Sequence, residues 1–153
     1  MANAKQTGEQ NVCVNRQARH NYFIEETYEA GLVLLGSEVK SLRDGKANLT
    51  DSYARVQKGE AYLVNAHVSH YPGANQFNHE PTRTRKLLLH AREIERLTGK
   101  TKERGLTLVA LRLYFKNGKA KVELGLARGK KLYDKREDIK QKDMERELSR
   151  MKL

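Results

Sequence analysis

The sequence predicts a mainly β (α+β) domain, an OB-like antiparallel β-barrel of about six strands with two or three short helices. Three observations lead to this prediction. Short segments of alternating apolar residues recur along the chain, turn residues connect them, and the strands do not alternate with long helices. The length of 153 residues suits one domain with an appended tail. The apolar fraction of 38% is below the usual ~45–50%, so we expect part of the chain to lie outside the core.

The N-terminal third predicts a leader, a long strand and a short helix. Residues 1–14 are polar and lack periodicity, which predicts a disordered leader. Apolar and aromatic residues follow from Asn15 with imperfect alternation, and Gly31 between them indicates a bulge or bend in a long strand. Residues 37–43 predict a helix of two turns, which Asp44-Gly45 ends.

The middle of the chain predicts a hairpin, a loop and a helix. Residues 53–56 and 61–64 flank Lys58-Gly59-Glu60, which is typical of a hairpin turn. Residues 65–82 contain both prolines and predict mostly loop, with a short strand near Val68. From residue 84 or 85 to Leu97 the apolar spacing is helical, and Gly99 is expected to close this helix.

The C-terminal part predicts a second hairpin and then a tail. Residues 107–115 and 122–126 alternate cleanly, and Asn117-Gly118 between them favours a two-residue turn. Residues 128–153 then contain ten basic and six acidic residues. The few apolar residues of this segment would form only a narrow stripe on a helix, and such a helix is marginally stable in water. We therefore expect residues 132–153 to be disordered when free and to order on a partner. The predicted domain is therefore the barrel of residues 15–131.

The charge of the chain favours a polyanionic partner. Thirty Lys and Arg against nineteen Asp and Glu give a formal net charge of +11, and such an excess is usually tolerated for nucleic acid binding. A membrane surface is disfavoured because the basic tail contains acids and lacks Trp and Phe. The single Cys13, the lack of a signal-peptide pattern and the lack of a membrane-spanning run predict a cytoplasmic protein.

No group of residues predicts catalysis or a metal site. The five histidines lack metal-ligand spacing and are expected to be solvent-exposed loop residues. Cys13 lies in the predicted leader without a partner base. We therefore expect neither an enzyme nor a cofactor. No helix-turn-helix or zinc module indicates DNA, so RNA is the favoured ligand.

Basic clusters indicate where RNA would bind. One cluster precedes the aromatic pair Tyr22-Phe23, of which Phe23 is expected in the core and Tyr22 is open to base stacking. A second is the run at residues 82–86, where three cations have only hydroxyls as spacers and suit phosphate oxygens. Residues 128–131 form a third, and a looser patch consists of Lys40, Arg43 and Lys46.

Several strings of the sequence are specific enough to indicate a family. They are NRQARHNYFI (15–24), EAG (29–31), GSEVKSLR (36–43), KAN (46–48) with DSY (51–53), PTRTRKLLL (81–89), and GKK (129–131) with DKR (134–136). These strings resemble the small protein B family, the SsrA-binding proteins. The resemblance covers nearly everything from Asn15 to Arg136, whereas the leader and the last residues are similar only in character.

The resemblance implies a function in ribosome rescue. Members of the family bind the tRNA-like domain of transfer-messenger RNA (tmRNA) and deliver it, with elongation factor Tu and GTP, to stalled 70S ribosomes for trans-translation. Carried over by position, Glu29 is a predicted RNA contact although a carboxylate repels phosphate. It would either accept a hydrogen bond from a base amino group or shape the site as a buried residue. The predicted tmRNA contacts are Asn15, Arg16, Arg19, His20, Tyr22, Glu29, Lys40, Arg43, Lys46, Thr82, Arg83, Arg85, Lys86 and Leu88.

The resemblance also implies a role for the tail. It is expected to enter the empty mRNA channel past the decoding site and to fold there as a helix, with new contacts offsetting the ordering entropy. Tyr133 stands where some relatives have His, which keeps a stacking ring but loses a protonatable imidazole. The ribosomal partner is expected to include 16S and 23S rRNA. The predicted contacts at the decoding site and in the mRNA channel are Arg128, Lys130, Lys131, Tyr133, Asp134, Lys135, Arg136, Lys140, Lys142, Arg146 and Arg150. The alternatives are a ribosome-associated RNA-binding protein without a dedicated tmRNA and, more weakly, an RNA-processing enzyme.

Overall fold

The computed structural model describes residues 8–73, 78–104 and 106–129, and for residues 103 and 104 it describes the backbone alone. Nine strands and three helices lie within these ranges. The strands are β1 (Glu9–Val14), β2 (Tyr22–Leu32), β3 (Ala47–Asn48), β4 (Tyr53–Gln57), β5 (Glu60–Val64), β6 (His67–Val68), β7 (Arg85–Leu88), β8 (Thr107–Lys116) and β9 (Lys119–Gly129). The helices are α1 (Arg16–Asn21), α2 (Gly36–Arg43) and α3 (Ala91–Arg104).

Antiparallel pairing closes six of the strands into a ring. The order in the large sheet is β1-β8-β4-β5-β7-β2-β9. Because β9 also pairs with β8, the six strands from β8 to β9 form a closed ring, and β1 is attached to β8 outside it. One edge of β8 is shared, because β4 pairs with its start at Leu108 and Val109 while β1 pairs with its end. The short β3 and β6 form a separate two-stranded sheet. The predicted OB-like barrel of mainly antiparallel strands with a few helices is confirmed.

The core fills the inside of this ring. Leu108 and Leu113 from β8 are buried together with Leu124 and Leu126 from β9. The clean alternation predicted for residues 107–115 is wrong, because the register shift between Ala110 and Arg112 places Val109 and Leu111 in a second apolar cluster with Ala18 of α1. Each fully buried leucine contributes roughly 1.5–3 kcal/mol relative to an exposed one. A Cβ on Gly125 would lie 3.1 Å from Ile24, so glycine allows β2 and β9 to approach closely here.

Both predicted hairpin turns are confirmed, as are two other short elements. Lys58 and Gly59 have φ values of 51° and 76°, and Asn117 and Gly118 have values of 52° and 77°. Positive φ at both central positions matches the twist of the flanking strands. The two-turn helix predicted at residues 37–43 is α2, and the strand predicted near Val68 is β6.

The disordered leader predicted for residues 1–14 is wrong for its second half. Residues 9–14 form β1, which pairs with β8 along its length. Val12 and Cys13 also pack against the core, and this burial stabilises a segment whose sequence shows no clear alternation. Residues 1–7 lie outside the described residues, as do residues 130–153, which include the predicted tail.

The long strand predicted from Asn15 is instead a helix followed by a strand. Asn15 caps α1 by accepting a hydrogen bond from the Ala18 N–H at 3.3 Å, so the backbone turns before β2 begins. β2 then ends at Leu32. The register shift in β2 lies between Ile24 and Glu26 rather than at the predicted Gly31.

The helix predicted to start at residue 84 or 85 is wrong at its N-terminal end. Residues 85–88 form β7, which pairs with β5 on one side and with β2 on the other. These pairings override a helical apolar spacing that continues from the true helix, α3. Gly99 lies inside α3 and does not end it.

Candidate nucleic-acid interface

Arg85, in the middle of the basic run at residues 82–86, is completely buried. Its Nε donates to Glu38 Oε2, and its terminal nitrogens donate to the carbonyl oxygens of Ala66 at 2.8 Å and Pro81 at 3.1 Å. Each of its three guanidinium nitrogens therefore donates within the protein. The prediction that Arg85 contacts RNA is wrong, because its acidic partner lies 47 positions away in sequence and the local run does not reveal it.

Glu38 joins α2 to the start of β7. Its carboxylate is fully buried and also accepts from Arg83 at 2.7 Å and from the Leu35 N–H at 2.7 Å. Burial alone would raise the pKa of Glu38, but the hydrogen bonds from Arg83, Leu35 and Arg85 outweigh it and hold the pKa below its usual range. Two guanidinium groups therefore face one ionised carboxylate, and Arg83 remains 31% exposed at the surface.

Lys86 and Leu88 point outward from β7, because exposure alternates along this strand. Leu88 is 55% exposed, the highest value among the exposed large apolar residues. Lys86 lies 3.3 Å from Glu60, an exposed pair that water and salt screen. Leu88 pairs with Gly31 of β2, and a Cβ on Gly31 would lie 3.1 Å from the Leu88 Cβ. The small residue thus lets Leu88 lie against the barrel surface.

A cleft of about 300 Å³ opens beside Leu88. Phe115 forms part of its lining, and Lys119 and Lys121 lie on its β9 side. The sequence interpretation missed both lysines, because it treated Lys119 only as part of a turn and Lys121 only as part of the strand that follows. Their spacing on either side of Ala120 was the available signal, since alternate residues of a strand share one face. We call the surface formed by Leu88, Phe115, Lys119 and Lys121 the Leu88 cleft.

Glu29 of β2 lies near this cleft. The Tyr114 hydroxyl donates to Glu29 Oε2 at 2.5 Å, and Lys116 Nζ lies 3.4 Å from the same oxygen. The hydrogen bond from Tyr114 lowers the pKa of Glu29 most, and Lys116 and Lys121 lower it further. The carboxylate is therefore ionised at neutral pH, and its side chain is 38% exposed. The sequence left two alternatives for Glu29, a hydrogen bond to a base amino group or a buried residue that shapes the site. The exposure of the side chain excludes the buried residue.

The helix α2 brings further cations to this side of the barrel. The Arg43 guanidinium lies 5.1 Å from the centre of the Phe115 ring, and Phe115 also lines the Leu88 cleft. Lys40 lies 5.4 Å from the Tyr71 ring centre, and Lys46 is exposed just beyond the helix. The predicted looser patch of Lys40, Arg43 and Lys46 therefore lies at the surface, with Arg43 next to the cleft.

The N-terminal basic cluster lies on α1. Asn15 is buried, and its Nδ2 donates to the carbonyl oxygens of Leu49 at 3.1 Å and Ala110 at 2.9 Å. Together with its capping bond, this uses the polar groups of the side chain within the fold. Asn15 is still 8% exposed and lines a cleft, so its role as an RNA contact stays a prediction. Arg16, Arg19 and His20 are exposed, as predicted for ligand-contacting residues.

A second cleft lies beside α1. Its volume is about 410 Å³, and Tyr22, Tyr53 and Asp51 are among its lining residues. Tyr22 is half-buried and Phe23 is 48% exposed, so the prediction that Phe23 lies in the core is wrong. The register shift that follows in β2 and the pairing of Phe23 with the exposed Arg128 explain this, since they place Phe23 on the outer face.

Comparison with known proteins identifies the family. Residues 12–152 match the family model described as "SmpB protein". The chain belongs to the SmpB family. It is 67% identical over 142 residues to the SsrA-binding protein of Desulforudis audaxviator, covering 93% of each chain. It is 63% identical to the SsrA-binding protein of Geobacillus thermodenitrificans, covering 91% of this chain and 90% of that one.

A solved structure extends the comparison to three dimensions. It is described as "tmRNA-SmpB: a journey to the center of the bacterial ribosome". The chain matches it with 55% identity and a TM-score of 0.65, over 76% of this chain and 82% of that one. At this identity, the match supports both the fold and the membership of the SmpB family.

Two residues of this SmpB-family chain differ from their predicted environments. His79, expected in solvent, is 3% exposed and lies 2.8 Å from both Ser37 Oγ and the Val68 carbonyl oxygen. It therefore connects α2 to β6 inside the fold. Cys13 is partly buried in β1, which raises the pKa of its thiol and so reduces the fraction present as the nucleophilic thiolate.

The described residues contain no cluster of His, Cys, Asp or Glu that suits a metal ion. In the same part of the chain, no helix is long and apolar enough to cross a membrane. Arg128 is half-exposed and its guanidinium lies 2.7 Å from Glu25, while the other predicted ribosome contacts lie outside the described residues.

Proposed function

We propose that this protein binds the tRNA-like domain of tmRNA and delivers it to stalled ribosomes for trans-translation. Relatives at 60–67% identity are SsrA-binding proteins, and the solved neighbour is a tmRNA–SmpB structure. The observation that carries the proposal is the Leu88 cleft. An exposed leucine, a largely buried phenylalanine and two lysines line it, near an ionised carboxylate, and this combination suits a folded RNA with exposed bases.

The cations on this side of the barrel divide into two groups. Arg83 and Arg85 are held by Glu38, so Arg85 contributes stability rather than binding. Lys119, Lys121, Arg43 and the exposed part of Arg83 are the groups that we propose to bind phosphates, in addition to Thr82 and Lys86. Replacing one of these cations with a neutral residue should lower the salt slope of RNA binding by roughly one unit.

The C-terminal segment completes the proposed function. We propose that residues 130–153 enter the mRNA channel of a stalled ribosome and become helical there. Their excess of basic over acidic residues suits a channel walled by rRNA phosphate. An mRNA already in the channel would exclude the segment by its volume. Binding of the segment to the ribosome would therefore require an empty channel. Elongation factor Tu with GTP would then act through the tmRNA complex in the cytoplasm, with the protein itself performing no chemistry.

The Leu88 cleft is tested by binding of the tRNA-like RNA at several salt concentrations. We expect Leu88→Ala to weaken binding about tenfold without changing the salt slope, since it removes an apolar side chain. Lys121→Met should reduce both the affinity and the slope. Lys102→Met is the matched control, because Lys102 is an exposed lysine on α3. Equal effects of the two lysine changes would contradict the proposed interface.

The two-part arrangement is tested by deleting residues 132–153. Binding of the tRNA-like RNA should remain nearly intact, whereas tagging of stalled peptides should be lost. Equal loss of both would contradict separate roles for the barrel and the tail. A preference for 16S rRNA fragments over the tRNA-like RNA would instead support a ribosome-associated protein without a dedicated tmRNA.

A further inference from the structure

Tyr114 holds one side of the Glu29 carboxylate from within the fold. Tyr114 is only 2% exposed, yet its hydroxyl donates to Glu29 Oε2 at a distance of 2.5 Å. Burial and the nearby Glu29 raise the pKa of Tyr114, so the phenol keeps its proton and donates throughout the accessible pH range. The Arg112 guanidinium lies 3.9 Å from the Tyr114 ring centre and restricts the orientation of the ring. Tyr114 therefore offers a fixed donor to Glu29.

The two carboxylate oxygens of Glu29 have different surroundings. Oε2 receives the hydroxyl of Tyr114 and lies 3.4 Å from Lys116 Nζ. Among the described residues, no hydrogen bond reaches Oε1, although the side chain is 38% exposed. A carboxylate oxygen in this state is a strong acceptor, and hydrogen bonds to charged groups are the stronger ones. Lys116 and Lys121 nearby reduce its repulsion of phosphate.

We infer that Tyr114 is a positioning residue, which orients Glu29 so that Oε1 accepts a hydrogen bond from the bound RNA. This inference rests on the proposed function, because it requires RNA at the Leu88 cleft. The donor is an N–H of a base or a ribose 2′-hydroxyl, both of which fit a carboxylate and neither of which is a phosphate. A phosphate at this point would be repelled. Glu29 would thus select a position on the RNA where a donor, and not the backbone, faces the protein.

The Tyr114→Phe variant tests this inference, since it removes one hydroxyl and keeps the buried ring. Binding of the tRNA-like RNA should weaken about tenfold, equivalent to about 1.4 kcal/mol, with an unchanged salt slope. Tyr28→Phe is the matched control. The Tyr28 hydroxyl donates to Glu26 Oε2 at the same distance of 2.5 Å, but Glu26 pairs with Arg96 of α3.

The pH dependence separates positioning from a structural role. Without the Tyr114 hydrogen bond the pKa of Glu29 rises toward its usual value, so binding of the variant should decline at a higher pH on acidification than binding of the wild type. The charged groups that face Glu29 are Lys116, Lys121 and Glu123, which lies directly opposite on β9 and pairs with Arg112. Arg112 and Glu9 lie beyond Tyr114. A Glu9→Gln background removes the carboxylate beyond Tyr114 and should leave this difference between the variant and the wild type unchanged.

A double-variant cycle decides the outcome. In a Glu29→Gln background, Tyr114→Phe should have little further effect, because the oriented carboxylate is already gone. An equal loss in both backgrounds, or wild-type binding by Tyr114→Phe alone, would overturn the inference. If the Tyr114→Phe chain unfolds, the variants Glu29→Gln and Glu29→Asp still test whether RNA binding needs a correctly oriented carboxylate oxygen. If both variants bind the RNA with the affinity of the wild type, the inference is overturned.

Two altered ligands identify the donor. A tRNA-like RNA with inosine in place of guanosine lacks the base amino group, and a 2′-deoxy version lacks the ribose hydroxyl. Whichever ligand lacks the donor should bind the wild type about tenfold more weakly and show no further loss with Glu29→Gln. If neither ligand shows this pattern, the donor is neither the guanine amino group nor a ribose hydroxyl, and the double-variant cycle decides the inference. A wild-type chain without preference for the tRNA-like RNA over unstructured RNA of equal length would remove the proposed function itself, which is a different result.

Discussion

The buried carboxylate of Glu38 provides a direct test of what holds α2 against β7. Glu38→Gln keeps the shape of the side chain but removes the charge that faces Arg85, which is 0% exposed. Leaving one partner of a buried ion pair uncompensated costs about 3–5 kcal/mol. Since 1 kcal/mol shifts the melting temperature of a chain of this size by about 2–4 °C, we expect a fall of about 6–20 °C.

Urea unfolding followed by circular dichroism measures this loss, together with two further variants. Glu25→Gln is the control, because the Glu25–Arg128 pair is largely exposed and such pairs contribute about 0–1 kcal/mol. The double variant Glu38→Gln with Arg85→Met should recover part of the loss, since no buried charge is then left unpaired. A fall below about 1 kcal/mol for Glu38→Gln would refute the reasoning.

The same variant has a defined pH dependence. The pKa of Glu38 is lowered in the folded state, so its contribution to stability is present above its unfolded value near pH ~4.3. This contribution is lost as the pH falls through the folded value. The gap in stability between the wild type and Glu38→Gln should therefore be full at pH 7 and should narrow below pH ~4. A gap that widens on acidification would contradict the sign of the argument.

Three further predictions concern other residues. Asn15→Ala removes the α1 cap and two buried hydrogen bonds, and should lower the free energy of unfolding by about 2–4 kcal/mol in urea titrations. Leu113→Ala leaves a cavity in the core, and should cost about 2–5 kcal/mol, whereas Leu88→Ala should leave stability nearly unchanged. Arg96 and Tyr28 lower the pKa of Glu26 to about 2, and an NMR titration of Arg96→Met should show that pKa rising.

The parts of the fold that were predicted correctly depend on local sequence. Asn117-Gly118 and Lys58-Gly59 determine their turns through backbone preference alone, and strand alternation in residues 122–126 places Leu124 and Leu126 in the core. The errors arise where pairing with residues that are distant in the sequence determines the secondary structure. Residues 85–88 continue a helical spacing, yet pairing with β5 and β2 makes them a strand.

The candidate site shows the same division. Leu88 and Glu29 were predicted from family resemblance, whereas a local pattern of charge made Arg85 look like a phosphate ligand. Only the fold brings Glu38 against Arg85 and buries both. The lysines at 119 and 121 were missed for the same reason, since only the fold places them in one cleft with Leu88.

The pairing of β9 has a mechanical consequence for the segment that follows it. This strand is bonded to β2 as far as Gly129 and to β8 as far as Ala127, so it is held along both edges almost to its end. A pull on the chain beyond Gly129, directed along the strand, would shear many hydrogen bonds at once instead of peeling them one by one. The barrel can therefore transmit tension from residues 130–153 without unravelling, and their point of departure stays fixed relative to the Leu88 cleft.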